Sequence, residues 1–262
     1  MSAFQVRGLG YKPDPPKAIG QKPDHDAAPT LGTAPPPPAA SNVELVVEVL
    51  DQGQAGSCVA HAIPQAVRMA HVRAGIASPR LMSRNMGYWL SRSLDGTQNE
   101  DDGTYLRSFF TVLKAYGFCP ESVWPYDLAQ LYTIPPAAAF RAAYDQNNPT
   151  VYQRIMTAGA ARIDDIKRAI AAGYGVCFGT DVSEAFCQNQ LGDGPIPPPT
   201  TSPIAGGHAL CAVAYDGDTF RIVNSWSPDW GDRGYCTFSA DYMAWDRTND
   251  LWIVAQAPNY SE

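Results

Sequence analysis

Cys58 closes the run Gln52-Gly53-Gln54-Ala55-Gly56-Ser57-Cys58, just ahead of a segment whose apolar residues recur at helical spacing. Glycines let a backbone turn sharply and approach a ligand closely. A cysteine in the first turn of a helix sits at the positive end of the macrodipole, which favours thiolate over thiol. Thiolate is the nucleophilic form, so this is where a reactive cysteine belongs. Further along come Gly206-Gly207-His208-Ala209-Leu210, at the entry to a predicted strand, and Val223-Asn224-Ser225-Trp226. A neutral amide beside a histidine can orient the ring without adding charge, and Cys, His and Asn together are one arrangement for acyl transfer.

These residues need scaffolding. The spacing of Ala62, Ile63, Ala66, Val67 and Ala70 predicts a helix starting near Cys58, with Gly56-Ser57 supplying turn and cap and Pro64 a kink. Further helices are predicted over 83–92 and 105–116, the latter stopped by Gly117, and a short one over 164–170. Asp102 and Asp165 are expected in solvent. After residue 174 the texture becomes β: 176–178, 209–215, 220–223 and 235–238 read as strands, with Asp216-Gly217-Asp218 as a hairpin turn. A helical first half and a mainly β second half predict an α+β protein of two lobes. Residues 1–42 carry Pro13, Pro15, Pro16 and the run Pro35 to Pro38. They read either as a disordered leader or as a short pro-segment lying on the rest, with the main domain at 43–258.

Composition narrows the function. Of 262 residues, 45% are hydrophobic and 17% charged, a globular balance. The net charge of -7 argues against a nucleic-acid partner. No apolar run approaches the roughly 20 residues of a membrane span. Six cysteines without a C-x-x-C pair and four scattered histidines point to neither a metal nor another cofactor. Cys177 and Cys211 lie in apolar runs, as buried free thiols do. The first residues lack a basic stretch followed by an apolar one, so no secretory signal is read. A cytoplasmic location, or export by another route, is the expectation.

Taken together, Gln52 to Cys58, Gly103-Thr104-Tyr105, Trp124-Pro125-Tyr126, His208-Ala209, Asn224-Ser225-Trp226, Trp230-Gly231 and Gly234-Tyr235 resemble the papain family of cysteine peptidases, in the family's order. The resemblance implies a helical lobe over about 45–125, a β-barrel-like lobe over about 126–258, and an active-site cleft between them. It implies that Cys58 attacks the scissile carbonyl of a peptide or protein substrate. His208 carries the proton and pairs with the thiolate. Asn224 orients His208, Trp226 shields that bond, and Gln52 donates to the oxyanion beside the Cys58 N–H. Gly103, Thr104 and Tyr105 are expected to pair with the substrate backbone. Gly206, Gly207 and Ala209 are expected beside its side chains, with Asn249 or Asp250 at a pocket base that favours a basic group.

Departures from the family pattern are informative. Ala55 and Asp101-Asp102 stand where many members carry a bridging cysteine pair. Val59 replaces the aromatic residue after the nucleophile, and Ser227 a glycine after Asn-Ser-Trp. Family zymogens are held inactive by a prodomain strand across the cleft. The tail is too short for a helical subdomain and is expected to cover the groove as a weak, removable inhibitor. The competing expectations are a catalytically silent binding module of the same fold, and an exopeptidase or transpeptidase using the same residues.

Overall fold

The computed structural model describes residues 7–18, 21–76, 78–145 and 150–256, so the expected domain end at 258 lies outside the described residues. In chain order the elements are β1 (Tyr11–Lys12), α1 (Ala28–Leu31), β2 (Ala39–Ser41), α2 (Val59–Arg73), α3 (Arg84–Asp95), β3 (Thr104–Tyr105), α4 (Leu106–Tyr116), α5 (Ala137–Asp145) and β4 (Val151–Arg154). There follow α6 (Gly159–Ala171), β5 (Val176–Ser183), α7 (Glu184–Cys187), β6 (Ile204–Asp216), β7 (Thr219–Val223), β8 (Tyr235–Ser239), α8 (Ala240–Ala244) and β9 (Asn249–Gln256).

Helix α2 is the axis of the molecule. It packs against α3 and α4 on one side and against β5, β6 and β9 on the other, so almost all of it is buried, including Val59, Ile63, Val67 and Met69. Cys58 is its N-cap residue. Helix α3 starts where the Ser83 hydroxyl accepts from the Met86 N–H and stops at Gly96 in the left-handed region, at φ 78°. Helix α4 stops at Gly117, as its sequence predicts.

A seven-stranded sheet runs in the order β4-β9-β5-β6-β7-β8, with β2 added on β6. The hairpin between β6 and β7 turns at Gly217, φ 53°. Two cores flank the sheet. One gathers α2, α3 and α4 with Phe109, Phe110 and Trp252. The other holds Ile166, Ile170, Phe178, Phe220, Trp226 and Phe238. Burying each such large apolar side chain contributes about 1.5–3 kcal/mol.

The α+β class is as expected, and among the described residues the sheet is an open path that does not close into a barrel. One helix and one side chain need correction. The short helix expected at 164–170 is the middle of the longer α6, and Asp165 is buried, paired with Arg168 and bonded to Thr157. Of the two forms expected for the proline-rich tail, it takes the one that lies on the rest of the protein. Residues 39–41 pair with β6, the Tyr215 hydroxyl donates to the Pro37 carbonyl, and residues 8–14 lie over the groove between the layers. Asp102, by contrast, stays largely in solvent and pairs with Lys12.

Candidate active site

The sequence-predicted residues converge where the N-terminus of α2 meets β6. His208, on β6, is fully buried. Its Nε2 lies 2.8 Å from Asn224 Oδ1. The Ser225 backbone N–H donates to that same Oδ1 at 2.7 Å, which identifies it as the amide oxygen. An amide oxygen only accepts, so the neutral ring carries its proton on Nε2. Nδ1 is left with a free lone pair and no hydrogen-bond partner among the described residues. Trp226 stacks on the His208 ring, centroids 4.4 Å apart and planes 21° apart, and closes that bond from water.

Gln52 is held as tightly. The Ser225 hydroxyl donates to Gln52 Oε1 at 2.6 Å, and Gln52 Nε2 donates to two carbonyls, Ala55 at 2.7 Å and Gly8 at 3.0 Å. Tyr126 braces the backbone beneath: its hydroxyl donates to the Gln52 carbonyl and bonds the Ser57 hydroxyl. Ser225 thus aims the Gln52 donor. With Gln52 in the oxyanion role that the resemblance implies, Ser225→Ala is expected to lower kcat about 3- to 10-fold with little change in KM, because such a donor acts on charge that develops after binding. Steady-state kinetics on one peptide substrate check this.

Where the sequence lacks a bridging cysteine pair, a carboxylate holds the loop. Asp101 accepts from the Gly56 N–H at 3.0 Å and from the Tyr88 hydroxyl, which itself accepts from the Gly103 N–H. All six cysteines are free. Asp101→Ala should lower stability by about 1–3 kcal/mol, read as a drop in Tm. Ser227, in the place of the family glycine, adopts φ 66°, with its hydroxyl accepting from the Asp229 N–H.

The cleft is occupied by the chain itself. The Gly8 N–H donates to the Gly53 carbonyl, and the Gly8 carbonyl takes the Gln52 donor. The Gly10 backbone lies near enough to the Cys58 sulfur to favour its thiolate. The Thr104 N–H donates to the Gly10 carbonyl at 2.9 Å, and β1 pairs with β3 in parallel. A Cβ on Gly103 would fall 1.9 Å from the Gly10 carbonyl oxygen, so only glycine permits this approach. Gly206 faces Leu9, and Gly207 faces Tyr11.

Burial then sets the protonation. It pushes the Cys58 thiol up to about 11, although backbone hydrogen bonds from Ala209, Gly10 and Val59 pull the other way. It pushes His208 down to about 4, against the bond to Asn224. In the covered state both groups are neutral near pH 7, not the ion pair the resemblance implies. The neighbouring His61 is not a second base: burial and the Arg84 guanidinium hold it down near 3.

Comparison with known proteins decides the family. The papain family cysteine protease model matches residues 39–251. The chain belongs to the papain family of cysteine proteases. A peptidase C1-like protein of Acanthamoeba polyphaga mimivirus is 32% identical over 216 residues, covering 79% of this chain and 69% of the viral protein. A cathepsin L-like proteinase of Fasciola hepatica is 27% identical over 81% of this chain, a match that spans 61% of its own length. The solved structure of xylellain, a cysteine protease from Xylella fastidiosa, superposes with a TM-score of 0.78 at 26% identity, covering 98% of this chain and 99% of that one. Procathepsin B from Trypanosoma congolense shares the papain fold at 14% identity, TM-score 0.69.

Residues outside the predicted set belong to the same papain-family cleft. Tyr11, Gly179, Arg154 and the tail carboxylates of Asp14 and Asp24 gather at its far end around Asp250. Sequence spacing gave no sign of them, because they come from the tail, β4 and β5, and meet Asp250 of β9 only in the fold. Among the described residues no cluster of His, Cys, Asp or Glu is grouped to hold a metal, and no helix is long and apolar enough to cross a membrane.

Proposed function

We propose that this chain is an endopeptidase in which Cys58 is the nucleophile, His208 the proton carrier, Asn224 its orienter and Gln52 an oxyanion donor, and that residues 8–18 and 21–24 keep it covered. The observation that carries the reading is the His208 ring. Its Nε2 is committed to Asn224, its face is sealed by Trp226, and its Nδ1 is unpaired on the other side.

With the cleft open, His208 Nδ1 takes the Cys58 proton and the sulfur attacks the carbonyl carbon. The carbonyl electron pair moves to oxygen, which accepts from Gln52 Nε2 and the Cys58 N–H. Collapse expels the amine, which takes the proton from Nδ1, leaving a thioester. Water then attacks, giving its proton to Nδ1. The acid departs and the thiol is restored. An epoxide-type thiol inactivator should modify Cys58 in proportion to activity lost, as read by peptide mapping. Loss of activity through modification at Cys187, the cysteine least buried, would overturn the assignment.

The tail is anchored more firmly than its length implies. Tyr11 is buried and its hydroxyl donates to Asp250. Asp24 bridges Arg107 and Arg154, with Lys17 also on it. The Asp14 N–H donates to Asp250, and Asp14 Oδ1 accepts from the Arg107 N–H. The reading of the tail as an inhibitor also draws support from the proform of Trypanosoma congolense cathepsin B, a likeness in fold.

This anchor has a sign in pH. Burial, and then the facing Asp250 carboxylate, push Asp14 up to about 7, despite Arg107 and Arg154. A raised carboxyl favours docking most fully below the free-chain value near 3.9 and loses that contribution as pH rises through about 7. Asp24, held down to about 2 by Arg107, Lys17 and Arg154 against its burial, supports docking above the free-chain value and fails only in strong acid. The activity of the full chain, relative to a tail-loosened variant, should therefore rise from pH 5 to pH 8. A relative fall over that range would show that Asp14 does not govern release.

A further inference from the structure

The Tyr11 ring enters a slot between β5 and β6. A Cβ on Gly179 would fall 2.0 Å from the ring, and one on Gly207 would fall 3.2 Å from its Cδ1, so two missing side chains make the space. At the end of the slot Tyr11 Oη donates to Asp250 Oδ2 at 2.6 Å. Asp250 is 5% exposed and holds a left-handed backbone, φ 53°. Aspartate tolerates that conformation better than most residues, yet it persists only where its surroundings fix it. The other carboxylate oxygen is bonded by Arg154. Arg154 belongs to the body: it lies on β4 opposite Trp252 of β9, with its guanidinium 5.3 Å from that indole. Body residues therefore build the slot, and Tyr11 only fills it.

We propose that, once Tyr11 leaves, this slot is a substrate pocket that selects tyrosine, with Asp250, oriented by Arg154, setting the preference. The proposal rests on hydrolysis at Cys58. A phenylalanine would fill the slot and leave Asp250 Oδ2 buried without a donor, and sites built to bond a hydroxyl discriminate strongly against its absence. A lysine or arginine would bring a second cation beside Arg154. The tail carboxylate of Asp24, which now bridges Arg154 and Arg107, departs with the tail and leaves that end of the cleft richer in positive charge. A neutral donor answers both demands. The basic preference expected from Asp250 alone is reversed by Arg154, a neighbour the sequence did not place beside it.

The test uses the full chain carrying Tyr11→Ala and a peptide library with equal tyrosine, phenylalanine, leucine, lysine and arginine at every position. Products are mapped by mass spectrometry, with the same chain carrying Cys58→Ala as blank. The expected result is tyrosine enriched about tenfold or more over phenylalanine at one position before the cut. Adding Asp250→Ala should bring that ratio near one while cutting persists. Adding Arg154→Gln should raise lysine and arginine relative to tyrosine. Phenylalanine equal to tyrosine, or basic residues leading, in the Tyr11→Ala chain would overturn the pocket while leaving hydrolysis intact. No cutting above the blank would overturn hydrolysis and the pocket with it. Should the Asp250 variant fail to fold, the tyrosine-to-phenylalanine ratio of the Tyr11→Ala chain decides alone.

Discussion

Cys58→Ala should fold with a Tm close to that of the parent and lose about 10⁴–10⁶ of its kcat on any peptide the parent cuts. The side chain removed is small, and the groups that act on it are backbone ones, so the change falls on chemistry and not on packing. His208→Ala should be comparably damaging, because it deletes the proton carrier. Asn224→Ala should be milder: the imidazole that carries the proton is kept, but it loses the bond that fixes its tautomer. The three effects should not add, since each residue acts only through the others. A Cys58→Ala chain that still turned over peptide would refute the nucleophile. An Asn224→Ala chain as inactive as His208→Ala would mean that the amide does more than orient.

Tyr11→Ala should raise kcat/KM of the full chain on a small peptide by about 10²-fold or more. Truncating a buried aromatic side chain weakens a packed state by about 3–5 kcal/mol, and here the hydroxyl bond to Asp250 goes as well. Docking of the tail bears that loss directly, whereas the body keeps α2, the sheet and both cores. The gain saturates once the open form predominates, so the Asp24 anchor on Arg107 and Arg154 limits what one substitution achieves. Opening should also show in the chemistry. With the Gly10 backbone withdrawn and water admitted, the burial that pushes the thiol up and the imidazole down is relieved. Cys58 alkylation should then speed up most at low pH, where the covered thiol is least reactive. Unchanged kcat/KM and unchanged alkylation in Tyr11→Ala would leave the tail without a regulatory part.

The residues at the centre of the site were legible in the sequence because each stands in a short local pattern with its own physical reason. Gly56 and Ser57 turn the chain into a helix whose N-cap is Cys58, although the Ser57 hydroxyl bonds Tyr126 and does not cap it as expected, and Asn224, Ser225 and Trp226 are consecutive, so one strand end delivers the proposed orienter, brace and shield together. Helix α2 followed from apolar spacing and the end of α4 from Gly117, whereas the stop of α3 at Gly96 was not read. What only the tertiary structure decided depends on segments far apart in the chain. Tyr11 and Asp250 are separated by 239 positions, Arg154 and Asp250 by 96, and Asp14 and Asp250 by 236. No local periodicity encodes such meetings; they follow from sheet order and register, and from a parallel pairing of β1 with β3 that two-residue strands do not announce. Charge was equally illegible. Asp165 and Asp250 look alike in sequence to solvated aspartates, yet both are buried, because arginines on neighbouring turns or strands arrive to pair with them. The sequence therefore marked the residues proposed to react, while the fold decided that this chain's own Gly8, Gly10 and Tyr11 lie against them.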